Sequence, residues 1–112
     1  MRTIPDAIAV TTALLKSDAA TAADAAVTIA ADADHVHVID DIICSYSAAG
    51  AGNLLVVAGS TTILDVDITA TGAHQFSFSN RGGLHNATKN EAVVITLDGV
   101  TSLDGKLNVY YR

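Results

Sequence analysis

Tryptophan is absent, and cysteine, methionine and proline each occur once in 112 residues. The lone Cys44 excludes an intrachain disulfide. With two Phe and three Tyr as the only aromatics, the core has to be built from aliphatic side chains. Charge is scarce too: 16% of residues are Asp, Glu, Lys or Arg, and twelve acids against six bases leave a net charge of −6. Arg2, Lys16, Arg81, Lys89, Lys106 and Arg112 are scattered and form no basic stripe, so a nucleic-acid backbone finds no electrostatic footprint. No apolar run approaches the roughly 20 residues of a membrane span. Arg2 is followed by Asp6 and polar residues that break up any signal-peptide core, so synthesis in the cytosol is the default expectation. Catalytic motifs are missing as well. There is no Gly-x-Ser-x-Gly elbow, no Gly-x-Gly-x-x-Gly ahead of a helix and no EF-hand loop, and the expectation is a protein that is not an enzyme and takes no cofactor.

What is present is short-period alternation. Alanine supplies 20 residues and buries little, so Val, Ile and Leu carry the core, and β-branched side chains suit strands. The longest β-favouring run is His35-Val-His-Val-Ile-Asp-Asp-Ile-Ile-Cys-Ser-Tyr-Ser47, read as one long central strand. Ile42, Cys44 and Tyr46 share one face of it, and Asp40-Asp41 falls where the alternation changes phase, as a bulge requires. Asn53-Leu-Leu-Val-Val-Ala58 is a continuous apolar strand suited to burial on both faces. Gly59-Ser60 turns it into a hairpin with Gly at the first central position, the type II′ pattern, and Leu64, Val66 and Ile68 then face in while Asp65 and Asp67 face out. Further strands follow around Phe76 and Phe78, from Glu91 to Leu97, and from Lys106 to Tyr111, with Asp98-Gly99 and Asp104-Gly105 as turn signals. The expected fold is all-β: an antiparallel β-sandwich or jelly roll of about seven or eight short strands.

The domain is expected over residues 26–112, preceded by an arm or extended connector over residues 1–25. Ser17-Asp-Ala-Ala-Thr-Ala-Ala-Asp-Ala-Ala26 is the one helix-like stretch, but it lacks a large apolar stripe to bury. Within the arm, Ile4, Pro5, Ile8, Val10, Leu14 and Leu15 are the candidate partner-binding residues, able to add a strand to a neighbouring subunit. His35-x-His37 is the weak metal candidate, since two histidines two apart on a strand point the same way and reach one ion. The competing reading makes them strand-face residues. Asp65-x-Asp67 reads as the solvated side of the hairpin strand.

Five phrases stand in a familiar order: Ile42-Ile-Cys-Ser-Tyr-Ser47, Gly52-Asn-Leu-Leu-Val-Val-Ala-Gly59, Phe76-Ser-Phe78, Val94-Ile-Thr-Leu97 and Gly105-Lys-Leu-Asn-Val-Tyr-Tyr111. Together they resemble a family of small β-sandwich virion proteins from tailed bacteriophages, most like the capsid decoration (cement) proteins. The likeness runs from about residue 26 to 112. It implies a structural protein on the outer capsid surface that bridges capsomers, with the major capsid protein and other copies of itself as partners, commonly as a homotrimer, and with no nucleic acid or membrane. The alternative is a carbohydrate- or receptor-binding sandwich of a tail or fibre, for which Tyr46, Tyr110 and Tyr111 are few aromatics. A more distant one is a cupin-like metal enzyme using His35 and His37, although the glycines that flank the cupin motif are missing here.

Overall fold

The computed structural model describes residues 14–48, 52–69, 72–78, 82–86, 88–99 and 103–112. Eight strands follow one another: β1 (Leu14–Thr21), β2 (Ala25–Ile29), β3 (Ile39–Tyr46), β4 (Gly52–Ala58), β5 (Thr61–Ile68), β6 (Gly72–Ser77), β7 (Val93–Leu97) and β8 (Asp104–Tyr111). They form two four-stranded sheets, ordered β1-β8-β3-β6 and β2-β7-β4-β5, and every neighbouring pair is antiparallel. That order is the eight-stranded jelly roll. No helix among the described residues is long and apolar enough to cross a membrane.

The core follows from period two. Ala25, Val27 and Ile29 of β2, Ile42, Cys44 and Tyr46 of β3, and Leu54, Val56 and Ala58 of β4 are buried. Val93, Ile95 and Leu97 of β7, Leu107 and Val109 of β8, Ile39 at the start of β3 and Ile68 at the end of β5 complete the layer between the sheets. The side chains between them in sequence face outward, so β4 is not buried on both faces: Leu55 and Val57 are half-buried. The hairpin forms as the sequence predicts. Gly59 has φ of 61° and Ser60 is not among the positive-φ residues, the sign pattern of a II′ turn. A register shift between Val56 and Val57 leaves Ile63 as the extra residue on β5.

The bulge also falls where the alternation breaks. Tyr111 pairs with Ile39 and Tyr110 with Asp41, leaving Asp40 as the extra residue on β3. The single long strand, however, is shorter than the sequence suggests. Residues 35–38 are not part of β3. Asp32 instead folds the chain back on itself, its carboxylate accepting from the Asp34 amide at 3.0 Å and its carbonyl from the His35 amide at 3.3 Å. Local bonds of this kind compete with a strand ladder. Asp104-Gly105 is likewise no turn but the start of β8, where Gly105 packs beneath Leu97 and Tyr46.

The sandwich also takes in residues that the sequence reading places in the arm. β1 pairs along its length with β8, from Leu14 opposite Tyr111 to Thr21 opposite Asp104. Its Ala-rich sequence forms a strand because that backbone ladder, not an apolar stripe, holds it. Lys16 and Asp18 share the side of β1 that looks toward β2, the edge of the other sheet. The Lys16 ammonium donates to the Thr28 carbonyl at 3.1 Å, and the Asp18 carboxylate accepts from the Ala26 amide at 2.9 Å. Two side chains thus occupy backbone groups that an unpaired strand edge offers to other chains. Asp18→Ala is expected to cost about 1 kcal/mol for one lost hydrogen bond and to raise light scattering at high concentration. Unchanged scattering would show that Asp18 does not guard this edge.

Candidate functional site

Among the described residues, two of the surface depressions bring together polar side chains from separate strands and turns. The larger, about 360 Å³, is a shallow cleft lined by Gly52, Asn53, Asp67, Thr69 and Asp98. The fold assembles it from three places. Asn53 and Asp67 are cross-strand partners on β4 and β5, and Asp98 follows the end of β7, its amide donating to the Asn53 carbonyl at 2.9 Å. The Asn53 side-chain amide donates to Asp65 at 2.7 Å, which fixes its orientation. Behind the cleft the Tyr46 hydroxyl donates to the Asp98 carbonyl at 2.5 Å, joining β3 of one sheet to the end of β7 in the other. Tyr46 is buried, and desolvation, followed by the charge of Asp98, pushes its hydroxyl pKa up. The exposed carboxylates of Asp67 and Asp98 beside an amide and a hydroxyl offer acceptors and donors to a polyhydroxylated ligand.

The smaller depression, about 230 Å³, is lined by Leu14, Asp32, His35, Val36, His37, Tyr111 and Arg112. Here the two histidines turn to separate partners. His35 Nδ1 lies 2.9 Å from the Asp32 carboxylate. The bond from the Asp34 amide, with a smaller contribution from His35, holds that carboxyl below its usual pKa. His37 Nε2 donates to the Ala30 carbonyl at 2.6 Å, and its ring sits edge-on to Tyr111. Among the described residues, no group of three or more His, Cys, Asp or Glu side chains is placed to hold a metal. Nearby, Asp40, turned inward by the bulge, is 8% exposed and receives both short contacts of Arg112 Nε, at 3.0 and 3.2 Å.

Of the arm residues, Leu14 and Leu15 are exposed at 58% and 53% at the start of β1, whereas Ile4, Pro5, Ile8 and Val10 lie outside the described residues. The Asp67/Asp98 cleft is not apparent from sequence: Asp67 looks like a solvated hairpin residue, and Asp98 like a turn residue. Only the pairing of β4 with β5 and β7 unites them. Cys44 is 1% exposed, and burial pushes its thiol pKa up to about 11. A thiolate is the reactive form, so the folded protein is expected to resist a thiol-reactive dye at pH 8 and to react on unfolding. Rapid native labelling would contradict that packing.

No family model matches the chain, and no curated protein matches it. Several solved structures align with most of the chain. The carbohydrate-binding module CBM36, solved in complex with calcium and xylotriose, aligns with a TM-score of 0.50 and 17% identity, over 86% of this chain and 78% of that one. The CBM36-1 domain of a multidomain xylanase from the hindgut metagenome of Trinervitermes trinervoides aligns with a TM-score of 0.48 and 8% identity, over 85% and 73%. The Tobacco streak virus coat protein dimer aligns with a TM-score of 0.34 and 9% identity, over 96% and 87%. At 17% identity the likeness to CBM36 shows the β-sandwich fold and nothing finer.

Proposed function

We propose that this chain is a non-catalytic recognition module that binds carbohydrate through the Asp67/Asp98 cleft, in the setting of a phage tail or fibre. The observation that carries the reading is the jelly roll shared with a carbohydrate-binding module over 86% of the chain. The chemistry of the cleft supports it, because Asn53, Asp67, Thr69 and Asp98 line it with the hydrogen-bond acceptors and donors that sugar hydroxyls need. Affinity electrophoresis against a panel of soluble polysaccharides that includes xylan, with calcium and with a chelator, tests it. At least one polysaccharide is expected to retard the protein, and Asp67→Ala with Asp98→Ala to abolish the retardation without moving the thermal midpoint. No retardation by any polysaccharide would overturn the reading.

A second reading makes the chain a capsid decoration protein, bound to the major capsid protein on the outside of a virion as a homotrimer. It is favoured by the five phage-like phrases and by the exposed Leu14 and Leu15 at the mouth of the arm. Co-sedimentation with undecorated capsids is the result expected under this reading alone.

A further inference from the structure

The two flanks of the sandwich are finished differently. On the flank of β1 and β2, the inward-facing aliphatic side chains of β2 are fully buried, and Lys16 and Asp18 occupy backbone groups of β2. On the flank of β5 and β6, Ile68 at the end of β5 is buried, but the other apolar side chains that face the core are only partly so: Leu64 and Val66 from β5, Phe76 from β6, and Phe78 just beyond it. An apolar seam is therefore left between two strand edges. β5 carries the devices that discourage pairing at an edge, with a bulge at Ile63 and exposed Asp65 and Asp67. β6 does not. Its sequence, Gly-Ala-His-Gln-Phe-Ser, has no proline and no acidic or lysine side chain, and its register with β3 is unbroken from Asp41–Ser77 to Tyr46–Gly72. Among the described residues it has one strand neighbour, β3.

We propose that residues 7–13 of a second copy of this chain add as a strand to the edge of β6 that faces away from β3, with Ile8 and Val10 entering the seam beside Phe76 and Leu64. The segment Ala-Ile-Ala-Val-Thr-Thr-Ala is uncharged, has no proline, and sets Ile8, Val10 and Thr12 on one face and small side chains on the other. An added strand needs that pattern: main-chain hydrogen bonds hold it to the edge, and alternate side chains fill the apolar side.

The donor has to be another molecule. β1 and β6 are opposite edges of one sheet, so a strand beyond β6 lies four spacings from β1, about 19 Å. Val10 is only four residues from Leu14, which extended chain spans in at most about 14 Å. The proposal does not rest on the carbohydrate reading, and loss of glycan binding leaves it standing.

Sedimentation velocity on the full chain, and on Ile8→Asp with Val10→Asp, tests it. The full chain is expected to associate, and the double variant to run as a monomer with an unchanged thermal midpoint. A peptide of residues 5–13 is expected to dissociate the wild-type assembly and, added to the labelled double variant, to shift the amides of residues 73–77. A monomeric full chain, undiminished association of the variant, no dissociation by the peptide, or shifts confined to strands other than β6 would overturn it.

Discussion

Ile95→Ala is expected to destabilise the protein by about 3–4 kcal/mol, within the range for emptying a fully buried aliphatic site. Ile95 sits at the centre of β7, 0% exposed, with Val27 of β2 and Val56 of β4 as its cross-strand partners. Both partners are also buried, so no side chain has a free rotamer with which to fill the void. The sandwich has few aromatic rings to repack, and close-packed interiors relax only partially. For a domain of this size the loss corresponds to a fall in thermal midpoint of roughly 15–25 °C, readable by calorimetry. Ile95→Val removes a single methylene and should cost about 1 kcal/mol. Equal effects of the two substitutions would refute the cavity argument.

The second large effect lies at Tyr46. Truncation to Ala removes a buried ring and its link between the sheets, and should cost about 3–5 kcal/mol. Tyr46→Phe keeps the ring and isolates the hydroxyl, whose lost bond to the Asp98 carbonyl should cost about 1–2 kcal/mol. Gly52→Ala reaches the same bond from the other side, since a Cβ at Gly52 collides with the Tyr46 hydroxyl and lies 2.8 Å from its ring carbon Cζ. The hydroxyl also sets a pH dependence. Its pKa is raised above the ordinary 10.0 in the folded state, so folded protein holds the proton more tightly than unfolded chain. The contribution is complete below pH 10 and is lost as pH rises through the folded-state value. Denaturant titrations at pH 8 and pH 11 should therefore show a smaller alkaline loss in Tyr46→Phe than in the parent. An identical loss in both would show that another group governs the alkaline limb.

The sandwich was legible wherever one face of a strand is buried, because alternation is the trace of burial. Ile42, Cys44 and Tyr46, or Val93, Ile95 and Leu97, announce their strands in this way, and Gly59 announces its turn through the positive φ that it adopts. β1 left no such trace. Its Leu14, Lys16 and Asp18 all face the other sheet yet stay exposed, so an Ala-rich stretch with helix-like composition became a strand through pairing with a segment about ninety residues later in the chain. Residues 35–37 failed for the opposite reason: they alternate well, but the Asp32 turn takes them out of the ladder, and only Val38, bonded both ways to the Arg112 backbone, still extends it. The cleft was illegible because its residues are ordinary turn and hairpin residues until β4 brings β5 and β7 to its two sides. Tyr46 and Asp98, 52 residues apart, belong to the same class of contact.

β1 also sets where the native state opens first. It contributes no fully buried side chain, only the half-buried Ala20, so its release breaks a ladder of hydrogen bonds while uncovering little apolar surface. Its amides then exchange with solvent through a local opening well below the global unfolding free energy, while those of β3, β4 and β7 wait for the whole sandwich to unfold. Such an opening uncovers the edge of β8 and leaves the rest of the sandwich standing. The domain therefore behaves as a seven-strand body with one hinged strand, and the hinge lies at residues 22–24, which join β1 to β2.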